Sequence, residues 1–143
     1  MINCSNPLSG LTRVVNKETA IRAVGMCHGV RGVAAQFARF FDCGLEECAY
    51  LNTGIDHCAW FTQMLVQGRC VWDLLAAKGL DEWLQQDPSA AREDAVFKDL
   101  YGLRCGLALG RQLGALPAIG DRHMVEFFAD FLLRLEFTTH EVA

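Results

Sequence analysis

Hydrophobic positions along the chain alternate between a period of about 3.6 and short strand-like runs, and the switches between them mark the elements. Leu8, Leu11, Val14 and Val15 fall on one helical face, behind an Asn6-Pro7 pair suited to a helix start. Ile21–Gly25 reads as a short strand, and Val30, Val33, Ala34, Phe37, Phe40 and Phe41 then stripe a helix. Cys27 and His28 therefore sit at a strand-to-helix junction. A second β region is expected over Cys48–Leu65, with Asn52-Thr-Gly54 as its turn and His57 on a strand face with Ile55, Ala59 and Phe61. Helices are expected over Val71–Lys78, Leu80–Gln86, Arg92–Leu109 and Met124–Leu135. Gly110–Gly120 reads as a Gly/Pro-punctuated connection that delivers Gly120-Asp-Arg-His123 to the start of the last helix. Several helices around a small, mainly antiparallel sheet make an α+β fold, and 143 residues suit a single domain over 1–143.

Composition narrows the function classes. A chain that is 52% hydrophobic and 21% charged folds around a core, and a net charge of -4 argues against nucleic acid or an anionic membrane as partner. No apolar run reaches the roughly 18 residues that span a bilayer, and the first residues lack a signal-peptide pattern. Seven cysteines without a CxxC couple read as free thiols, so the expected location is cytoplasmic.

Polar clusters at element ends are the candidates for chemistry. Cys27 and His57 are a thiolate and an imidazole that folding can bring together on a divalent metal, although a buried cysteine and a hydrogen-bonded strand histidine fit the same pattern. Asn6 and Asp121 also read as helix caps, and Arg122 as the ion-pair partner of Glu126 one turn on. No GxGxxG or GxxxxGK[ST] loop occurs, so no residue is assigned to cofactor binding.

Four motifs together carry a resemblance: Ser5-Asn6-Pro7, Val24-Gly-Met-Cys27-His28-Gly-Val30, Gly54-Ile-Asp-His57-Cys-Ala-Trp-Phe61 and Gly120-Asp-Arg-His-Met-Val-Glu-Phe-Phe128. In order and spacing the sequence resembles glycoside hydrolase family 4, and the Cys-His pair resembles its α-galactosidase/α-glucosidase branch. The resemblance implies a hydrolase of O-glycosyl bonds in α-galactosides or related α-glycosides. Such enzymes depart from the paired-carboxylate scheme: NAD oxidises the sugar at C3, a base takes the C2 proton, the glycosidic oxygen leaves, water adds and C3 is reduced again.

Carried onto this chain, the resemblance makes Cys27 and His57 the ligands of manganese or another divalent metal. It makes His28 the acid at the leaving group, Asp121 the acceptor of the C2 proton, and Asn6 and Arg122 contacts to the sugar. A helix start stabilises a Cys27 thiolate and opposes a protonated His28. The fold implied is similar to the C-terminal domain of the lactate/malate-dehydrogenase-like superfamily. The chain is then a partial substrate and metal domain, without the Rossmann domain that binds NAD in the complete enzyme, itself expected to be a homo-oligomer. Two other functions stay open: a 2-hydroxyacid dehydrogenase-like substrate domain, and a non-catalytic remnant that associates through apolar surface.

Overall fold

The structure is a computed structural model that describes residues 1–5, 7–55 and 57–124. Two modules make up this span. The first is a parallel strand–helix–strand unit: β1 (Ile2–Asn3), α1 (Leu8–Glu18) and β2 (Val24–Gly25), with Ile2 opposite Val24 and Asn3 opposite Gly25. Polar clamps hold it more than burial does. Asn3 Nδ2 donates to Thr12 Oγ1 at 3.1 Å, and Asn16 exchanges two hydrogen bonds with the Ala23 backbone at 2.7 and 2.9 Å. No described residue of α1 is buried, and Leu11 and Val14 of its apolar stripe are 41% and 56% exposed.

The second module holds the core. α2 (Gly29–Phe40) buries Val33, Ala34 and Phe37 of its expected stripe together with Ala38, while Val30, Phe40 and Phe41 pack half-buried against the core. β3 (Cys48–Ile55) and β4 (Cys58–Val66) form an antiparallel hairpin, and β5 (Arg69–Cys70) follows a two-residue turn at Gln67-Gly68, both at positive φ. The expected turn at Asn52-Thr-Gly54 is instead strand: these residues pair with Phe61, Trp60 and Ala59, and the ladder continues to Ile55 opposite Cys58. Gly54 permits this tight end, since at φ 114° a Cβ there would lie 2.0 Å from the Cys58 carbonyl oxygen. His57 consequently sits in the turn rather than on a strand face, and Ile55 is 83% exposed while Ala59 and Phe61 are buried.

A bulge corrects the pattern of β4. Leu51 pairs with Gln63 and Asn52 with Phe61, which leaves Thr62 as the extra residue. Without it, Ala59 and Phe61 would face one side and Met64 and Val66 the other; with it, all four are buried.

The helices α3 (Val71–Ala77) and α4 (Leu80–Gln85) match the expected spans, and a short α5 (Pro88–Arg92) starts at the Asp87 cap. The expected helix over Arg92–Leu109 is broken. Asp94 Oδ1 accepts from the Val96 and Phe97 N–H groups at 2.8 Å, a side-chain turn that competes with helix. A 3-10 stretch (Lys98–Leu103) follows, and only then α6 (Arg104–Leu113), closed by left-handed Gly114. Leu100, Leu103 and Leu107 still point inward, whereas Val96 is 46% exposed. Around them Trp83 stacks on Phe97, and Phe97 on Phe40.

The supposed connection between the last two helices contains a strand. β6 (Leu116–Pro117) pairs with β4, Leu116 opposite Phe61 and Pro117 opposite Trp60. Since β3 occupies one edge of β4 throughout, β5 and β6 share the other. α7 begins at Asp121 and is described to Met124, so the remainder of the expected Met124–Leu135 helix lies outside the described residues. Among the described residues no helix is long and apolar enough to cross a membrane.

Candidate functional site

The site is assembled by three chain reversals. After β2 the chain turns through Cys27 and His28 into α2, where the His28 carbonyl accepts the first helical hydrogen bond, from Gly32 N–H at 2.8 Å. The Gly29 N–H at the helix start donates to Cys27 Sγ at 3.4 Å. The hairpin tip carries His57. The third reversal is tied to the hairpin, because Ala118 N–H extends the β6 ladder onto the Ala59 carbonyl at 3.0 Å. That bond places Ile119, Gly120 and α7 beside the start of β4.

A cavity of about 140 Å³ opens where the three meet, lined on its polar side by Cys4, Cys27, His28, His57 and His123, with Gly120 between them. Cys27, His28 and His57 were singled out from the sequence and line the same cavity, although His57 lies far along the chain from the adjacent Cys27 and His28. The rings of His57 and His123 are in contact across it, 3.8 Å between centroids. His123 and Cys4 were assigned no role from the sequence. His123 could have been found from its place in the Gly120–His123 motif, while Cys4 carried no signal beyond lying in the β1–α1 connection. Among the described residues, no group of three or more His, Cys, Asp or Glu side chains is arranged to hold a metal ion.

Asp121 is placed differently from the expectation that it open onto this cavity. It is 8% exposed, and its two oxygens accept from the Cys105 and Gly106 N–H groups at 2.8 and 2.9 Å, capping α6 from a distant part of the chain. Burial pushes its carboxyl up to about 6, against the two N–H groups that pull it down. Burial and the Asp121 charge push the Cys105 thiol up in turn, which marks Cys105 as a structural thiol. Gly106 is required for this approach, since a Cβ there would lie 2.7 Å from Pro117 Cβ. Arg122 is exposed and does not line the cavity. Asn6, Asp56 and Glu126 lie outside the described residues.

Comparison with known proteins gives this geometry a family. Residues 1–43 match the model of the Family 4 glycosyl hydrolases. The chain is 31% identical over 138 residues to an alpha-galacturonidase of Bacillus subtilis, covering 89% of this chain and 30% of that protein. It is 33% identical over 126 residues to an alpha-galactosidase of Rhizobium meliloti, covering 88% of this chain and 23% of that protein. It thus spans less than a third of the length of these relatives.

In structure it resembles lplD of Bacillus subtilis, with a TM-score of 0.61 and 25% identity over 88% of this chain and 31% of that one. A 6-phospho-beta glucosidase of Thermotoga maritima, solved with manganese, NAD+ and glucose-6-phosphate, has a TM-score of 0.55 over 98% of this chain and 29% of that one. At 16% identity it speaks for the fold alone. From the motif-bearing turns, the sequence relatives and the mixed helix–sheet fold together, the chain belongs to family 4 of the glycosyl hydrolases.

Proposed function

We propose that this chain supplies the sugar- and metal-facing part of a glycosidase that acts on α-galactosides or the related α-galacturonides by oxidation, elimination and addition. The observation that carries this reading is the convergence of Cys27, His28 and His57 on one small cavity from a strand–helix junction and a hairpin tip. The activities named for the two sequence relatives support a galactose-type ring as the substrate class.

The donor set suits a divalent metal: cysteine and histidine side chains line one cavity, and two protein ligands would leave positions for sugar oxygens and water. Cys27 and His57 would hold the ion, which supplies Lewis-acid polarisation of the sugar's C2 and C3 oxygens. The manganese in the Thermotoga maritima structure supports a metal in this fold. His28, exposed at the mouth of the cavity, is the donor to the leaving oxygen. Asn6 is assigned to sugar binding, whereas Arg122, outside the cavity lining, is given no role there. Asp121, turned onto α6, keeps α7 and so His123 at the cavity wall, and the acceptor of the C2 proton is left unassigned. The chain has no phosphate-cradling loop, so the hydride chemistry of NAD is assigned to none of its residues.

Paramagnetic broadening tests the reading without turnover. With manganese added to the full chain, the C2 and C3 protons of methyl α-galactoside or methyl α-galacturonide should broaden selectively, and Cys27→Ser should remove the effect. Broadening that is absent, or equal in the wild type and Cys27→Ser, overturns the assignment.

One observation favours a second reading, an association module: Met1, Ile2, Leu11, Val14, Ile21, Val24 and Met26 are all more than 40% exposed. Self-association without selective sugar broadening would favour it.

A further inference from the structure

Two cysteines lie together away from the cavity. Cys43 follows α2, Cys48 opens β3, and their Sγ atoms are 4.0 Å apart. This is non-bonded contact, about 2 Å longer than a disulfide. The segment between them is already closed by hydrogen bonds. Glu47 N–H donates to Gly44 O at 3.0 Å, Gly44 N–H donates to Glu47 Oε2 at 2.9 Å, and Cys43 N–H donates to Ala38 O at 3.0 Å. Gln67 clamps the same turn from the far end of β4, its backbone N–H on Glu47 O at 2.9 Å and its side-chain amide on Glu47 Oε1 at 3.0 Å.

The fold therefore holds the two thiols together before any bond joins them, so closure needs little further ordering. Both cysteines are half-buried rather than enclosed, so a small disulfide in solution can reach them.

We propose that Cys43 and Cys48 are a dithiol that closes to a reversible disulfide by exchange with a small-molecule disulfide, tying the end of α2 to the start of β3. The Cys43 thiolate attacks one sulfur of the reagent, whose S–S bond breaks, and the expelled thiolate takes up a proton. Cys48 then loses its proton to solvent and attacks Cys43 Sγ in the mixed disulfide, expelling the second small thiol. Two electrons pass from the protein's thiols to the reagent, and two small thiols leave.

The order of attack follows from the environment of Cys48. Burial, and then the hydrogen bond and charge of Cys43, push its thiol up to about 11. Capping Cys43 removes the contribution of its charge, so Cys48 becomes the better nucleophile once the mixed disulfide exists. The bond would join, at their bases, the two elements whose opposite ends carry Cys27, His28 and His57 to the cavity.

The test equilibrates the full chain with reduced and oxidised glutathione, alkylates the remaining thiols, and cleaves at Arg39, Glu46, Glu47 and Arg69. The expected result is the loss of two titratable thiols of the seven in a monomeric species, a raised melting temperature, and a Cys43 peptide joined to the Cys48 peptide until reduction. Fragment ions must place the link on Cys48, because its peptide also carries Cys58. Cys43→Ser and Cys48→Ser should each abolish the intramolecular link.

Because a serine at half-buried Cys48 can disturb folding, the wild-type map decides by itself. Both thiols remaining free while exposed Cys4 and Cys70 are glutathionylated would overturn the proposal. So would pairing of either one with Cys58, Cys70 or a second copy of the chain.

Discussion

The rings of His57 and His123 pack against each other with centroids 3.8 Å apart and planes inclined by 37°. His57 comes from the β3–β4 turn and His123 from α7, so the contact depends on the register of β6 against β4. Under the proposed role of His57 as a metal ligand, the His123 ring is the outer-shell support of that ligand, and loss of outer-shell support typically weakens metal affinity by 10- to 100-fold.

Cobalt reads this directly through its thiolate charge-transfer band. Cys27→Ser should abolish the band, His57→Ala should weaken it, and His123→Ala should lower cobalt affinity by about tenfold while leaving the band's position unchanged. Cys58→Ser, one residue beyond His57, should change nothing. Optical titration of the four variants checks this, and equal loss of the band in Cys58→Ser would remove Cys27 and His57 from the site.

The approach of α6 to β6 should be sensitive to one methyl group. A Cβ at Gly106 would stand 2.7 and 2.8 Å from two carbons of Pro117 and 3.4 Å from Asp121 Oδ1. Gly106→Ala should therefore destabilise the fold by about 1–3 kcal/mol, the usual cost of overpacking. Denaturant unfolding measures it, and an unchanged midpoint would show that β6 is free to shift.

Asp121 should give the protein a pH dependence of unusual sign. Its carboxyl is raised from 3.8 to about 6 by burial, so between these values the folded state binds more protons than the unfolded one. This contribution to stability is fully present below about pH 4, falls as pH rises, and is lost above about pH 6. Asp121→Asn should be less stable overall, because the Cys105 and Gly106 N–H groups donate to different carboxylate oxygens and one of these becomes an NH2 that cannot accept, and it should flatten the slope in that window. Urea midpoints from pH 4 to 7 for both proteins would show the difference; parallel curves would contradict it.

The β1–α1–β2 unit should drive self-association. Parallel strands are ordinarily covered on both faces, yet Ile2 and Val24, paired in this ladder, are 62% and 58% exposed, as are Leu11 and Val14 of α1 to a lesser degree. Sedimentation should show association at tens of micromolar, roughly the range where exposed apolar surface tells. Val14→Glu should shift it toward monomer, and a wild-type monomer would count against it.

Local patterns of the sequence determined much of this protein. The α2 stripe, α3, α4, the Cys27-His28 junction and the inward Leu100, Leu103 and Leu107 all follow from periodicity and end signals within a single element. Tertiary structure alone decided where elements stop and which ones meet. Asn52-Thr-Gly54 has turn chemistry, yet the Thr62 bulge and the close end at Gly54 carry the strand past it. Leu116-Pro117 reads as a connection because a two-residue strand has no periodicity, and only pairing with β4 makes it one. That pairing brings His123 to His57 and turns Asp121 away onto α6. A carboxylate in a loop satisfies a helix start or a cavity equally well in sequence. Only the position in space of the Cys105 and Gly106 N–H groups, which have no acceptor within their own helix, decides which of the two it serves.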